Sequence, residues 1–399
     1  MKLGLLKEVK LPVDKRVVLT PRQCKILQDS YSNIELVVQS SDTRCFSDAE
    51  YLAQGIKIVD DISDCDFLFG VKEVSRESLI ANKTYFYFSH TIKEQPYNRS
   101  LLIKMVEMDI NMVDYEVLKD QEGKRLLGFG RYAGIVGAYN AFLAYGLKSE
   151  NYNLKPAYQC KNRVHMEQQF RNMVLNNEKI IVTGNGRVGG GIMEIMRISG
   201  VKEVSINDFL TREFNFPVFI RLITMDYNER IDGSLSGKLD FYAHPHLYRS
   251  SFLKFAERAD IFIAGHYYAS GSPYLFTREE ARLDNFNLKV IADISCDIDG
   301  PVASTIRPST IHDPIYGYDP ITEKEVSFKN IGAIAVMAVS NLPCELPKDS
   351  SEDFGGEMLE KILPALINGD HEGIISKATI CKSGELMPGF EYLRNYIGG

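Results

Sequence analysis

The stretch KIIVTGNGRVGGG, residues 179–191, decides the fold. Its opening, Lys179–Thr183, is mostly β-branched and reads as a buried strand. Gly184, Gly186 and Gly189 then spell G-x-G-x-x-G, enclosing Arg187 and Val188, and Ile192, Ile195, Met196 and Ser199 recur at helical spacing. A strand, a glycine turn and a helix in that order form a dinucleotide-binding fingerprint. Gly184 permits the tight turn, Gly186 lets a pyrophosphate approach the backbone, and Gly189 lets helix and strand pack closely. The helix N-terminus supplies N–H donors and a partial positive charge. The expected cofactor-binding residues are therefore Gly184, Gly186, Arg187, Val188 and Gly189. Asp208 is expected to end the next strand, Val204–Asn207, and to accept hydrogen bonds from ribose hydroxyls. Its charge would repel a 2′-phosphate, which favours NAD over NADP, although Arg212 nearby can accept a phosphate. The alternative is a glycine-rich turn in a Rossmann-like unit that holds no cofactor.

Outward from this turn, apolar runs alternate with helical periods. Expected strands are Leu3–Leu6, Ile34–Val38, Asp66–Val71, Tyr85–Phe88 and Asn111–Val113 before it, and Asp260–Ala264 and Leu288–Ile294 after it. Alternation of this kind predicts an α/β protein with parallel sheets. The 399 residues correspond to two or three domains. The predicted arrangement is a discontinuous first domain, 1–135 plus 331–399, for substrate, with a dinucleotide-binding domain, 136–330, inserted into it and a cleft between the two. The polar stretch Lys148–Asn177 carries no functional signal.

Apolar residues make up 45% of the chain, charged residues 25%, and the net charge is −7. This balance speaks against a broad phosphate-backbone surface, and so against nucleic acid as a partner. Seven scattered cysteines without a C-x-x-C pair fit neither a disulfide framework nor a zinc site. His244-Pro245-His246 has chelate-like spacing but lacks further ligands, so no metal is expected. No apolar run approaches the roughly 20 residues that span a bilayer, and no secretory signal is visible at the start. The expected location is the cytoplasm; the oligomeric state stays open.

The candidate chemistry lies in the first domain. One strand ends in Lys72-Glu73, a second in Ser89-His90-Thr91-Ile92-Lys93, and a third in Asp114-Tyr115-Glu116. Parallel strands end on one edge, so Lys72 and His90 can meet there. Lysine, histidine and carboxylates in one crevice set each other's pKa values, and burial brings a lysine toward general-base duty. The bland alternatives are a surface Lys72–Glu73 ion pair, a His90 satisfied by backbone, a solvated Glu116 and a loop-bound Arg16.

The blocks KRVVLTP, GVKE, FSHTIKEQ, VDYEVL and FGRYAG, followed by ADISCDIDGPVAST, DPIYGYDP and VSNLPCELPKDSSEDFG, resemble the lysine-forming saccharopine dehydrogenase family. They also resemble the lysine–2-oxoglutarate reductase part of the bifunctional lysine-degrading enzyme. The wider group includes alanine dehydrogenase and the NAD-binding component of transhydrogenase. The resemblance implies two Rossmann-like domains and an NAD-dependent oxidoreductase that interconverts saccharopine with lysine and 2-oxoglutarate. It implies Lys72 and His90 as the acid–base pair, with Glu73, Lys93 and Glu116 tuning them. It further implies Arg16 and Arg125 as binders of substrate carboxylates, and Asp297 near the nicotinamide. The competing readings are an alanine-dehydrogenase-like enzyme and an inactive NAD-binding regulatory protein.

Overall fold

The run TYFYF at Thr84–Phe88 has no polar face, and it forms a central strand whose last four residues are all buried. In the computed structural model, which describes residues 1–235, 237–269 and 271–398, similar runs build two large sheets. The chain divides into one unit made of Met1–Phe129 and Pro347–Gly399, and a second made of Gly130–Leu346.

The first six strands are β1 (Lys2–Leu5), β2 (Glu35–Gln39), β3 (Lys57–Val59), β4 (Phe67–Lys72), β5 (Thr84–Phe88) and β6 (Asn111–Asp114). The inserted unit carries β7 (Lys179–Thr183), β8 (Lys202–Glu203), β9 (Val218–Leu222), β10 (Asn228–Arg230), β11 (Tyr248–Ser250), β12 (Ile261–Ala264), β13 (Val290–Asp293), β14 (Ile315–Asp319), β15 (Lys324–Val326) and β16 (Ile334–Met337). Then β17 (Thr379–Lys382) and β18 (Glu385–Leu386) return to the first unit.

The first sheet runs β18-β17-β6-β5-β4-β1-β2-β3. It is parallel from β3 to β6, and β17 closes on β6 antiparallel. The strand order reverses between β1 and β4, which makes a topological switch point there. The second sheet runs β15-β14-β16-β13-β12-β7-β9-β8, parallel except for β14 and β15. Its reversal falls between β7 and β12.

Helices cover these sheets. In the first unit they include α1 (Pro21–Ser30) and α2 (Arg99–Glu107). A capping box starts α1: Thr20 Oγ1 accepts from the Gln23 amide, Gln23 Oε1 accepts from the Thr20 amide at 2.9 Å, and Pro21 occupies the first turn. In the second unit α3 (Gly130–Ser149) packs on α4 (Arg187–Ser199), and α5 (Ile206–Thr211) follows β8. The α3–α4 crossing is made at glycines. A Cβ on Gly134 would overlap the Val188 carbonyl, and one on Gly191 would overlap the Arg131 carbonyl. The first unit resumes with α6 (Pro347–Glu357).

The unit boundaries differ from the sequence expectation of 135 and 330. All of α3 belongs to the second unit. The apolar run Ile331–Val339, expected in the first domain, contributes β16, which pairs parallel with β13 inside the second sheet. An apolar run reads alike in either sheet, and only its long-range pairing, Val290 with Ala335, assigns it. The polar stretch after α3 has a structural part. Arg163 binds Glu167 and Glu194, Tyr139 Oη donates to the Lys155 carbonyl, and Met166 is fully buried, so the segment straps α3 to α4.

Candidate functional site

In the first unit four strand ends converge at the switch point. Lys72 is the last residue of β4, in register with Phe88 of β5. Burial lowers the Lys72 pKa, and the positive Arg16 and Lys10 press it the same way. The peptide that carries it is gripped by Glu8, just beyond β1: Glu8 Oε1 accepts from the Val71 amide at 2.7 Å and Oε2 from the Lys72 amide at 3.0 Å. Burial pushes the Glu8 carboxyl up to about 7 despite these bonds.

Glu73 does not pair with Lys72. It is nearly buried, ion-paired to Lys10, and its Oε2 lies 3.7 Å from His90 Nδ1. Burial alone would raise the Glu73 carboxyl, but the His90 ring and the Lys10 ammonium outweigh it and hold it at about 2. His90 sits two residues past β5 in the left-handed region, φ 56°, and its Nδ1 is buried without a hydrogen bond. The neighbouring backbone is fixed by buried Asp114 of β6, which accepts from Ser89 Oγ at 2.5 Å and from the Ser89 and Glu116 amides. Burial raises the Asp114 pKa.

Further along the same edge, Lys93 Nζ lies 3.1 Å from Glu116 Oε1, with Arg125 at 3.9 Å. Burial would raise Glu116; Lys93 and Arg125 together bring it below the usual range. Arg125 donates to the Leu127 carbonyl at 2.9 Å and lies over the Phe88 ring. Arg16 is buried and held by a two-pronged contact with Asp14, 3.0 and 2.6 Å, while its guanidinium stacks 4.0 Å from the Phe129 ring. The bland readings of Lys72–Glu73 as a surface pair and of His90 as backbone-satisfied do not describe these residues.

In the second unit the fingerprint adopts its expected geometry. Gly184 has φ +102°, and a Cβ there would overlap the Gly265 carbonyl at the end of β12. A Cβ on Gly189 would overlap the Gly184 carbonyl, whereas Gly186 faces open space. Gly186 precedes α4, so Arg187 and Val188 supply its first turn. Across the switch point Thr183 Oγ1 is 2.8 Å from His266 Nδ1, and burial lowers the His266 pKa to about 4, keeping the ring neutral.

Asp208 departs from expectation. The strand β8 ends at Glu203, and Asp208 lies inside α5, where its amide donates to Ser205 Oγ at 3.1 Å. Its carboxylate pairs with Arg212 at 2.9 Å. The reason is topological: the edge strand β8 is only two residues long, and the strand beside β7 is β9. On β9, Arg221 Nε donates to the Gly184 carbonyl at 3.3 Å. Asp297 is exposed beyond β13, while Asp293 is buried and organises that turn, accepting from Ser295, Cys296 and Thr305. No cluster of potential metal ligands occurs among the described residues, nor any helix long and apolar enough to cross a membrane.

Sequence reasoning missed Glu8 and Asp293, and it named Asp114 at the end of its strand without assigning it a role. Both follow or end parallel strands on the same edges, so the strand-end argument applied to every strand would have found them.

Residues 4–136 match the family described as "Alanine dehydrogenase/PNT, N-terminal domain". The Arabidopsis thaliana protein named alpha-aminoadipic semialdehyde synthase is 28% identical over 98% of this chain and 41% of its own length. A Schizosaccharomyces pombe protein named saccharopine dehydrogenase [NAD(+), L-lysine-forming] is 26% identical over 89% of this chain and 90% of its own. The chain resembles the lysine-forming saccharopine dehydrogenases. It spans less than half the length of the semialdehyde synthases of plants and mammals that it matches. A solved L-alanine dehydrogenase aligns over the whole of both chains with a TM-score of 0.66 at 14% identity, a likeness of fold. The saccharopine dehydrogenase resemblance thus extends over both units, while the family match covers the N-terminal segment of the unit that carries Lys72 and His90.

Proposed function

We propose that the chain is a nicotinamide-dependent oxidoreductase acting on a CH–NH group, a lysine-forming saccharopine dehydrogenase. In one direction saccharopine, NAD and water give lysine, 2-oxoglutarate and NADH. The observation that carries this reading is the desolvated Lys72 beside the Glu73–His90 contact, at the switch point of its sheet.

A secondary amine must give up its proton before the adjacent carbon can lose hydride. Lys72, with its pKa lowered by burial, is the acceptor. The imine that results needs water at its carbon. His90, beside the Glu73 carboxylate, takes the proton from that water and returns it to nitrogen as the carbinolamine opens. Glu73, Lys93 and Glu116 set the local charge. Arg16 and Arg125 are the proposed binders of substrate carboxylates; the Asp14 contact fixes the Arg16 guanidinium in place in advance.

The dinucleotide, when bound, supplies hydride acceptance and donation. The second unit suits such a group. The missing Cβ at Gly186 leaves the backbone open to a pyrophosphate, and the Arg187–Val188 turn offers N–H donors. Asp297 is assigned to the nicotinamide side. NAD is the proposed form, in keeping with the name of the yeast relative. A second reading, NADPH, draws on Arg221 beside the glycine turn, where a cation would suit a 2′-phosphate.

The deciding assay mixes the chain with lysine, 2-oxoglutarate and either NADH or NADPH and follows cofactor absorbance. Oxidation is expected. Activity only with pyruvate and ammonia would favour an alanine-dehydrogenase-like enzyme, and cofactor binding without any turnover would favour a regulatory protein.

A further inference from the structure

Beside the Glu73–His90 contact, wholly within the first unit, lies a cavity of about 490 Å³ whose lining includes Lys10, Glu73, Arg76, Glu77, Tyr97 and Asn98. Asn98 is its most informative residue. It ends the 3₁₀ turn Pro96–Asn98 that runs into α2, and its helical backbone, φ −95° and ψ −6°, keeps its side-chain oxygen off the helix amides. Here it makes no capping bond. Its side chain is instead 3% exposed, with Nδ2 buried and without a hydrogen-bond partner. A buried amide donor with no protein acceptor is one that a bound carboxylate can satisfy. The first turn of α2 reaches the same cavity through Ser100 and Leu101 and adds uncapped backbone N–H groups and the positive end of a nine-residue helix.

The remaining charges come in both signs. Lys10 pairs with Glu73, and Arg76 lies 3.9 Å from Glu77, so each cation has an anion beside it that a bound zwitterion would share. A simple anion site would not carry two carboxylates, and a simple amine site would not carry an open donor at a helix N-terminus. Both together match a zwitterion.

We propose that this cavity receives the α-amino-acid head of the substrate. The α-carboxylate lies against Asn98 Nδ2, the start of α2 and Arg76, and the α-ammonium faces Glu73 and Glu77. The inference rests on the proposed lysine-forming reading and deepens it. Glu73 belongs both to the cavity and to the His90 contact, so a side chain extending from the head is directed toward the acid–base residues, as an amine on a four-carbon chain requires.

Calorimetry on the full chain tests this with three probes: L-lysine, 1,5-diaminopentane, which lacks the carboxylate, and 6-aminohexanoate, which lacks the α-ammonium. Lysine should bind at least about tenfold more tightly than either. Asn98→Asp replaces the donor by a like charge and should weaken lysine at least about tenfold without weakening 1,5-diaminopentane. Arg76→Gln, at a side chain 54% exposed and safe for folding, should shift the same ratio by a few-fold and decides the matter if Asn98→Asp does not fold. Equal binding of lysine and 1,5-diaminopentane, or lysine affinity unchanged in both variants, overturns the proposal. Turnover of lysine with 2-oxoglutarate at an unaltered KM in Asn98→Asp would sink the subsite and spare the enzyme reading. Weakened lysine binding without any turnover would do the reverse.

Discussion

Each unit has a switch point, and the two are built in opposite ways. Between β7 and β12 the working feature is absence: three glycines leave room, and the donors are backbone amides. Between β1 and β4 it is presence: Glu8, Lys72, Glu73 and His90 crowd charged groups into a desolvated edge. The same topology therefore yields a cradle where side chains are withheld and an acid–base centre where they are concentrated. Damage should follow suit. The cradle should fail sterically, and the charged edge should fail in proton handling while the fold survives.

The largest expected effect tests the charged edge. Lys72→Met should cut turnover about 10²–10⁴-fold, with cofactor affinity by fluorescence titration unchanged. Lost cofactor binding would mean the two sites are not separable in this way. Next comes the cradle: Gly189→Ala should cost about 1–3 kcal/mol in denaturant unfolding, because the new Cβ meets the Gly184 carbonyl. Gly186→Ala sharpens that result. With no atom within 4 Å of its Cβ, it should leave Tm unaltered and weaken the dinucleotide about tenfold. A matched loss of stability at both glycines would show that the turn is merely structural.

The smallest effect concerns Glu8. Its carboxyl rises from the ordinary 4.5 to about 7 on folding, so the stability it contributes is full below pH 4.5 and is lost as pH rises through about 7. Glu8→Gln should remove that slope, seen by comparing unfolding of the two proteins at pH 4.5, 6 and 8. It should also cost about 1 kcal/mol by leaving one of the two β4 amides poorly accepted.

The two regions were unequally legible in the sequence. The glycine turn is local, with strand, turn and helix contiguous, so spacing alone revealed its geometry. The charged edge was half-read. Lys72, Glu73 and His90 stood out as polar residues at strand ends, but their partners did not, because Glu8 and Lys10 come from a different strand end. Asp208 misled for the same reason in reverse. Counting residues from Gly184 assumes that the next strand lies beside β7, whereas β8 lies at the edge and β9 takes that place. The sequence did hold a contrary sign, Ser205 three residues before Asp208, the spacing of a helix cap. Asn98 carried no mark in the sequence, and only its buried, unbonded amide set it apart.

The antiparallel closure of β17 on β6, pairing Cys381 with Met112, bears on how the chain is made. On the ribosome Met112 emerges long before its partner, and the entire inserted unit is synthesised in the interval. At roughly 5–20 residues per second, β6 waits some ten to fifty seconds as a bare sheet edge, the kind of surface that invites wrong partners. Chaperone capture during translation should therefore concentrate on the nascent first unit and end once residues 379–386 are released.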